Sequence, residues 1–365
     1  MCIPLNEYVP LPKHKRPPGT PPGGRFLFKP PFCPNSVCQS ETHGDSFHYC
    51  RRGSYKRKCD GRRIPRFYCL TCDRGFSSQT FRGNFRYRLP ILHHSLMGLL
   101  CSKVTRRQAA RILGVNRKTV ERRFKRFSKV ARDFHFAQLE KKKIHGGIRG
   151  CFQIDELETF EHNRRIKPVT LAVTMERRTY FVMGAFAGAM ASRGGLNEKY
   201  KIRKLEIEEL EGKRRSQSRL VIRKSFQRLN NYLAERTMVF LQSDRKNTYR
   251  TELRRATGNR IRSHERISSK DRRDYHNPLF PINHTLAMMR DGLSCLVRRS
   301  WGASKKRSGL SRHCWIWIAW RNYVRGITNK TKTTPAQALG VCARAVEIKD
   351  IYFWRWPKRA LPKHI

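Results

Sequence analysis

The sequence predicts an α/β protein: a mixed sheet with helices on both faces, behind two small N-terminal modules. Three observations carry that expectation. From residue 150 onward, apolar runs such as CFQIDELETF, PVTLAVTM, TYFVMGAFA and MVFLQSD alternate with charged helical stretches, the pattern of strands layered with helices. Six of the chain's twelve cysteines lie between Cys33 and Cys72, which points to metal ligation in a reducing compartment rather than a disulfide scaffold. Residues 105–127, TRRQAARILGVNRKTVERRFKRF, read as two helices joined by a tight turn.

Composition bounds the partner. The 365 residues carry 79 Lys and Arg against 27 Asp and Glu, a formal charge of +52. Such a chain repels itself unless a polyanion neutralises it, so nucleic acid is the expected partner. A basic ribosomal or membrane-surface protein is the bland alternative, but 38% hydrophobic and 10% aromatic residues fit a folded body better than a basic tail. No apolar run opens the chain at Met1–Tyr8, so no secretory signal is expected. The longest apolar run, CWIWIAW, has seven residues, against roughly 18 needed for a membrane span. GAFAGAMASRGG lacks the Lys-Ser/Thr of a phosphate loop, so no nucleotide cofactor is expected.

Along the chain, residues 1–32 form a basic, Pro- and Gly-rich leader, and 33–85 hold the cysteine cluster. Residues 86–140 read as the helix-turn-helix domain, with LEKKKIHGGIRG as a basic linker to the body at 150–330. Within that body, ERR at 176–178 marks a hairpin turn, and 192–235 is a highly charged helical insert. After MVFLQSD, TYRTELRRA reads as a helix and NRIRSHERI as a strand, with closing helices near 283–300 and 310–324. The tail 331–365 reads as irregular and aromatic.

Cys33-x4-Cys38 and Cys69-x2-Cys72 make two knuckles, with SYKRKCDGRRIPRFYC between them reading as strand, turn, strand. Two short-spaced pairs on facing hairpins supply the tetrahedral sulfur set that zinc prefers. So small a segment has little else to hold it together, which favours zinc over free thiols. Cys50, Cys59, His43 and His48 are alternative ligands.

In the helix-turn-helix, Thr105 and Gln108 make a capping box, Ala109, Ile112 and Leu113 a buried face, and Gly114 the turn. Asn116 caps a second helix whose Val120, Phe124 and Phe127 face inward. Its remaining faces carry Arg117, Lys118, Arg122, Arg123, Lys125 and Arg126, a set suited to the major groove and flanking phosphates of duplex DNA.

Asp155 and Asp244 each end an apolar strand-like run. Carboxylates fixed at neighbouring strand ends can hold a hard divalent cation such as Mg²⁺ or Mn²⁺ against a phosphodiester. Glu156 follows Asp155 directly, so on a strand it faces the other way.

In that order the motifs resemble the transposases of small bacterial insertion sequences, of the zinc-ribbon DDE type with a ribonuclease H-like core. The resemblance runs from Cys33 to about Ile351 and rests on YCLTCDRGFSSQTF, the helix-turn-helix, IDELETFE, LQSDRKN and NHTLAMMRDGLSCLVRRSWGASKK. It implies a ribonuclease H-like mixed sheet flanked by helices, preceded by a small zinc ribbon and a helix-turn-helix domain. It also implies two-metal phosphoryl transfer, with Asp155 on the first strand and Asp244 on the fourth holding Mg²⁺. The implied activity is strand cleavage at the ends of the chain's own element and transfer to target DNA. The partner is then double-stranded DNA, bound by a homo-oligomer in the bacterial cytoplasm at the nucleoid.

The chain departs from the family in its third acid, there a Glu on a helix after the last strand. Between Tyr275 and Val346 the sole carboxylate is Asp291. If 283–300 is one helix, Asn283, Ala287, Arg290 and Ser294 form a polar stripe beside Asp291 and Arg298. Asn283 or Asp291 is then the third ligand, with Arg290 and Arg298 gripping phosphate and His313 and Asp274 as outside candidates. A copy with no such ligand would be a DNA-binding regulator without chemistry.

Overall fold

Aromatic side chains and cysteines, rather than long aliphatic runs, build the N-terminal part of this protein. In the computed structural model, residues 28–35, 37–38, 47–58, 61–81, 92–192, 194–268, 270–272, 274–297 and 302–354 are described. The chain divides after Phe81 into two units. In the first, strands β1 (Tyr49–Lys56), β2 (Arg63–Cys69) and β3 (Gly75–Ser77) pair antiparallel in the order β1-β2-β3. Its buried core is Cys33, Phe47, Phe67, Cys69 and Phe76, with the Phe67 and Phe76 rings stacked 5.7 Å apart. The strand–turn–strand expectation holds. The expected leader 1–32 lies largely outside the described residues, as do Cys59 and His43.

The second unit opens with three helices, α1 (Leu92–Leu100), α2 (Arg106–Ile112) and α3 (Arg117–Ile144). The Thr105–Gln108 capping box forms with both of its bonds, and Asn116 Oδ1 accepts the Lys118 N–H at 2.8 Å. Gly114 takes φ +59°, the left-handed turn that a side chain would resist. Ala109 is buried as expected, but Ile112 is 62% exposed.

The expected boundary near residue 140 is absent. Helix α3 runs 28 residues, because inward-facing residues continue past Phe127 through Val130, Phe134, Ala137 and Leu139 at helical spacing. Its C-terminal half enters the same core as the sheet. The supposed linker is therefore the end of α3 and a buried crossing: Ile148 N–H donates to Tyr232 O and Ala234 N–H to Ile148 O. Gly147, at φ +72°, passes so close that a Cβ would meet the Ala234 backbone at 2.5 Å.

Five strands then form one sheet: β4 (Cys151–Phe160), β5 (Pro168–Glu176), β6 (Val182–Ala189), β7 (Val239–Asp244) and β8 (Ile261–Ile267), in the order β6-β5-β4-β7-β8. Pairing is antiparallel across β4–β5–β6 and parallel across β4–β7–β8. The hairpin at 176–181 closes with Glu176 N–H donating to Phe181 O at 2.9 Å. The Thr179 backbone N–H and hydroxyl both donate to the Glu176 carboxylate at 2.7 Å.

The charged insert holds two different helices. α4 (Glu198–Glu211) buries no residue, whereas α5 (Ser218–Tyr232) buries Ile222, Phe226 and Leu229 in the core. α6 (Asn247–Thr257) links β7 to β8.

The first closing helix differs from expectation: α7 spans Phe280–Gly292, not 283–300. Gly292 sits where a Cβ would meet Trp317 Nε1 at 2.7 Å, and the chain turns inward there to bury Leu293, Cys295 and Leu296. Trp317 belongs to α8 (Arg307–Tyr323). The described part of the tail holds helices α9 (Pro335–Ala338) and α10 (Ile348–Phe353). It packs on the helical domain: Trp354 meets Phe134 at 5.8 Å and Tyr352 meets His93 at 5.1 Å. No helix of the described residues is long and apolar enough to cross a membrane.

Candidate functional site

Register brings Asp155 and Asp244 together. Strands β4 and β7 run parallel with Gln153 opposite Gln242, so two residues further along, Asp155 lies level with Asp244. Adjacent strands are about 4.8 Å apart and side chains at i and i+2 share a face. The Gln153 and Gln242 side chains meet on that face, Nε2 to Oε1 at 2.8 Å, and the two aspartates follow them on it. Asp155 Oδ1 accepts the Glu156 N–H at 2.7 Å. Asp244 Oδ1 accepts the Lys246 N–H at 3.0 Å. Asp244 is not the cap of α6: that position is Lys246, and it makes no side-chain cap bond.

Both aspartates line one cleft of about 580 Å³, together with Asn283, Arg290, Arg164 and Glu158. Helix α7 is docked over the strand ends by Gln153. Its Oε1 accepts the Ile282 N–H at 3.0 Å, and its Nε2 also donates to Pro278 O at 2.6 Å. That clamp places Asn283 beside the acids. Sequence reading missed Gln153 and Gln242; the signal was a Gln two residues before each aspartate in otherwise apolar strands, QID and QSD. Glu158 and Arg164 were also missed, the first because alternation alone assigns it to the far face.

Glu156 also borders the cleft, but its carboxylate is engaged elsewhere. Its carboxylate accepts from the Thr170 and Ser218 hydroxyls at 2.8 Å each and pairs with Lys246. Burial and the carboxylates of Glu156, Asp155 and Asp244 push the Tyr249 phenol well up, which keeps a neutral hydroxyl under the site.

Three proposed neighbours are elsewhere. Asp291 is exposed on the outside of α7, 3.6 Å from Lys103. That placement contradicts its reading as third ligand, because at helical spacing it sits a full residue's rotation away from Arg290. His313 is buried in the core, its Nε2 2.7 Å from Leu100 O and its Nδ1 3.4 Å from Cys295 Sγ, and burial pulls it down to about 4. Asp274 caps its own loop by accepting the His276 N–H. Ser294 is buried beyond the end of α7. Arg298 lies outside the described residues.

On α3, Arg117, Lys118, Arg122 and Lys125 are exposed, Arg126 is half-buried, and Arg123 is not available to a ligand. Arg123 is 5% exposed, with its guanidinium 3.0 Å from the His93 ring. The helical period turns position 123 inward beside Val120, Phe124 and Phe127.

In the first unit, the sulfurs of Cys33, Cys38, Cys69 and Cys72 all lie within 4.8 Å of one another. Cys33 and Cys72 are 3.6 Å apart, and Cys38 and Cys69 are 3.8 Å apart. Burial, with smaller contributions from the other three thiols, pushes Cys33 up to about 12. Four sulfurs gathered in so small a core can hold a metal ion, and this donor chemistry suits a soft, tetrahedral one. Cys50, on β1, is not part of the group, and neither is the exposed His48.

No protein-family model matches this chain, and a search of curated proteins gives no significant match.

Proposed function

We propose that this protein is a transposase of the zinc-ribbon DDE type, with a ribonuclease H-like catalytic core. It binds the terminal repeats of its own mobile element and catalyses Mg²⁺-dependent strand cleavage and strand transfer. The observation that carries the reading is the level placement of Asp155 and Asp244 on adjacent parallel strands, at a cleft that Asn283 and Arg290 share. The sheet supports it, since the first and fourth of its strands are neighbours and carry the two acids.

The donor set is hard and oxygen-only, as Mg²⁺ or Mn²⁺ requires. When bound there, such a cation would supply activation of an attacking water or 3′-hydroxyl and charge stabilisation of the leaving oxygen. Asp155 and Asp244 would hold it, with Asn283 as a neutral third donor. Arg290 and Arg164 orient the phosphate from the cleft walls, and Gln153 keeps α7 at the working distance. Cys33, Cys38, Cys69 and Cys72 hold zinc. The exposed face of α3 (Arg117, Lys118, Arg122, with Arg126 at its margin) binds the repeats, as a homo-oligomer in the bacterial cytoplasm.

A DNA-binding regulator without chemistry is the second reading. One observation favours it: α7 brings an amide, not a carboxylate, to the cleft. The two are separated by incubating duplexes carrying the inverted repeats that flank the gene with Mg²⁺ or Mn²⁺. We expect nicking and joining by the native chain, and a loss of about a thousandfold or more in Asp155→Asn and Asp244→Asn. Activity that survives both substitutions would overturn the catalytic reading. Specific binding with no cleavage by the native chain selects the regulator.

A further inference from the structure

Helix α6 and the outer strand β8 enclose a second pocket, of about 330 Å³, which the chemistry above does not use. Alternation along β8 turns Arg262, His264 and Arg266 to one face, and Arg250 and Arg254, one turn apart on α6, line the same pocket. Glu265, the strand's sole acid, falls on the other face and accepts from Gln242 Nε2 at 2.7 Å. Among the described residues, therefore, no carboxylate lines the pocket.

The opposite flank of α6 shows the contrast. There the fully buried Glu252 accepts from Arg219, Arg223 and Arg255 at 2.7, 2.6 and 3.1 Å. The three arginines on that side share one carboxylate from within the fold, which offsets part of their charge. On the β8 side, Arg250, Arg254 and Arg262 make no ion pair among the described residues. Arg266 is held in place by Asn247 Oδ1 at 2.8 Å and by the Arg245 carbonyl.

Two polar atoms of the pocket residues, Arg266 Nε and His264 Nδ1, are buried without a partner. Burial, and then the charges of Arg266 and Arg250, pull His264 down to about 4, so its ring stays neutral and adds no charge at pH 7. Guanidinium groups converging on one cavity repel one another until an anion enters, and their planar forks match phosphate oxygens.

We propose that this pocket binds a backbone phosphodiester of double-stranded DNA, at a contact separate from both the Asp155–Asp244 cleft and the basic face of α3. The pocket lies at the free edge of the sheet, open to an extended polyanion. The proposal rests on the reading of this chain as a DNA binder, not on its catalysis.

The test uses the full chain and a fluorescent duplex of arbitrary sequence, with anisotropy followed from roughly 50 to 200 mM salt. Arg254→Gln/Arg262→Gln is compared with Lys199→Gln/Arg203→Gln, which removes equal charge from exposed positions of α4. Thermal unfolding checks that both variants fold. The pocket variant is expected to lower the slope of log K against log salt by about 1–2 and to weaken low-salt binding about tenfold, while the α4 variant stays near the native value. Equal behaviour of the two variants, beside steep native salt dependence, overturns the pocket and leaves the DNA reading intact. A native chain with no salt dependence fails the DNA reading itself. If only stabilisation by inorganic phosphate is lost, and duplex binding is not, the pocket is a free-anion site and the assignment is wrong.

Discussion

At the scale of single residues, what a side chain can do here depends on which face its neighbours give it. Glu156 and Asp155 are adjacent carboxylates that both border the cleft, yet only Glu156 is locked into the Thr170 and Ser218 hydroxyls and Lys246. Arg122 and Arg123 divide in the same way between solvent and the His93 ring. The cysteine cluster shows the sharpest dependence on one atom. Cys69 is fully buried in a core of five residues, and its sulfur is also one of the four that could hold a metal ion. We expect the native chain to carry about one zinc, and Cys69→Ser to lose most of it. Metal analysis of the purified full chain checks this, and undiminished zinc in the variant would show that Cys69 is not a ligand.

Among the elements, α3 decides the architecture. A helix whose second half were solvated would leave the helix-turn-helix as a separate module on a linker. Instead the second half of α3 packs under α8, with Phe134 against Tyr323 at 5.0 Å and Trp354 at 5.8 Å. Sequence periodicity carried that information as far as Leu139, but the basic run KKK and the Gly pair that follow look like a linker when read alone. The consequence is cooperativity. Phe134→Ala should destabilise by about 3–5 kcal/mol and lower the urea midpoint of the helical domain and the sheet together. Two separate transitions, with only one shifted, would contradict a shared core.

For the whole molecule, buried histidines set the response to acid. His135 and His313 are both enclosed, and burial, the first cause for each, pulls them down to about 4. In the unfolded chain a histidine titrates near 6.5. Between pH 6.5 and 4 the unfolded state therefore binds more protons than the native state, and stability falls as pH falls through that window. Each histidine contributes on the order of 1–3 kcal/mol to that loss. The melting temperature should drop from pH 7 to pH 5 and drop less in His135→Gln, a result that a scan at fixed ionic strength would decide. A flat profile would mean that water reaches these rings.

Periodicity, turn residues and caps are local, and they determined much of this protein from sequence alone. The strands from Cys151 to Ile267, the capping box at Thr105, the turn at Gly114 and the two short-spaced cysteine pairs all follow from spacing between near neighbours. What depends on contacts between distant segments only the tertiary structure decided. α7 ends at Gly292, against which Trp317 lies closely, so there is no single long helix and no stripe joining Asn283 to Ser294. Asp291 faces solvent because Asn283 and Arg290 face the cleft, and no local signal fixes which side of a helix a sheet will cover. The level placement of Asp155 and Asp244 follows from the register of two strands whose aspartates are 89 residues apart in sequence. Strand pairing is set by the whole core that encloses it, so that distance had to be folded before it could be read.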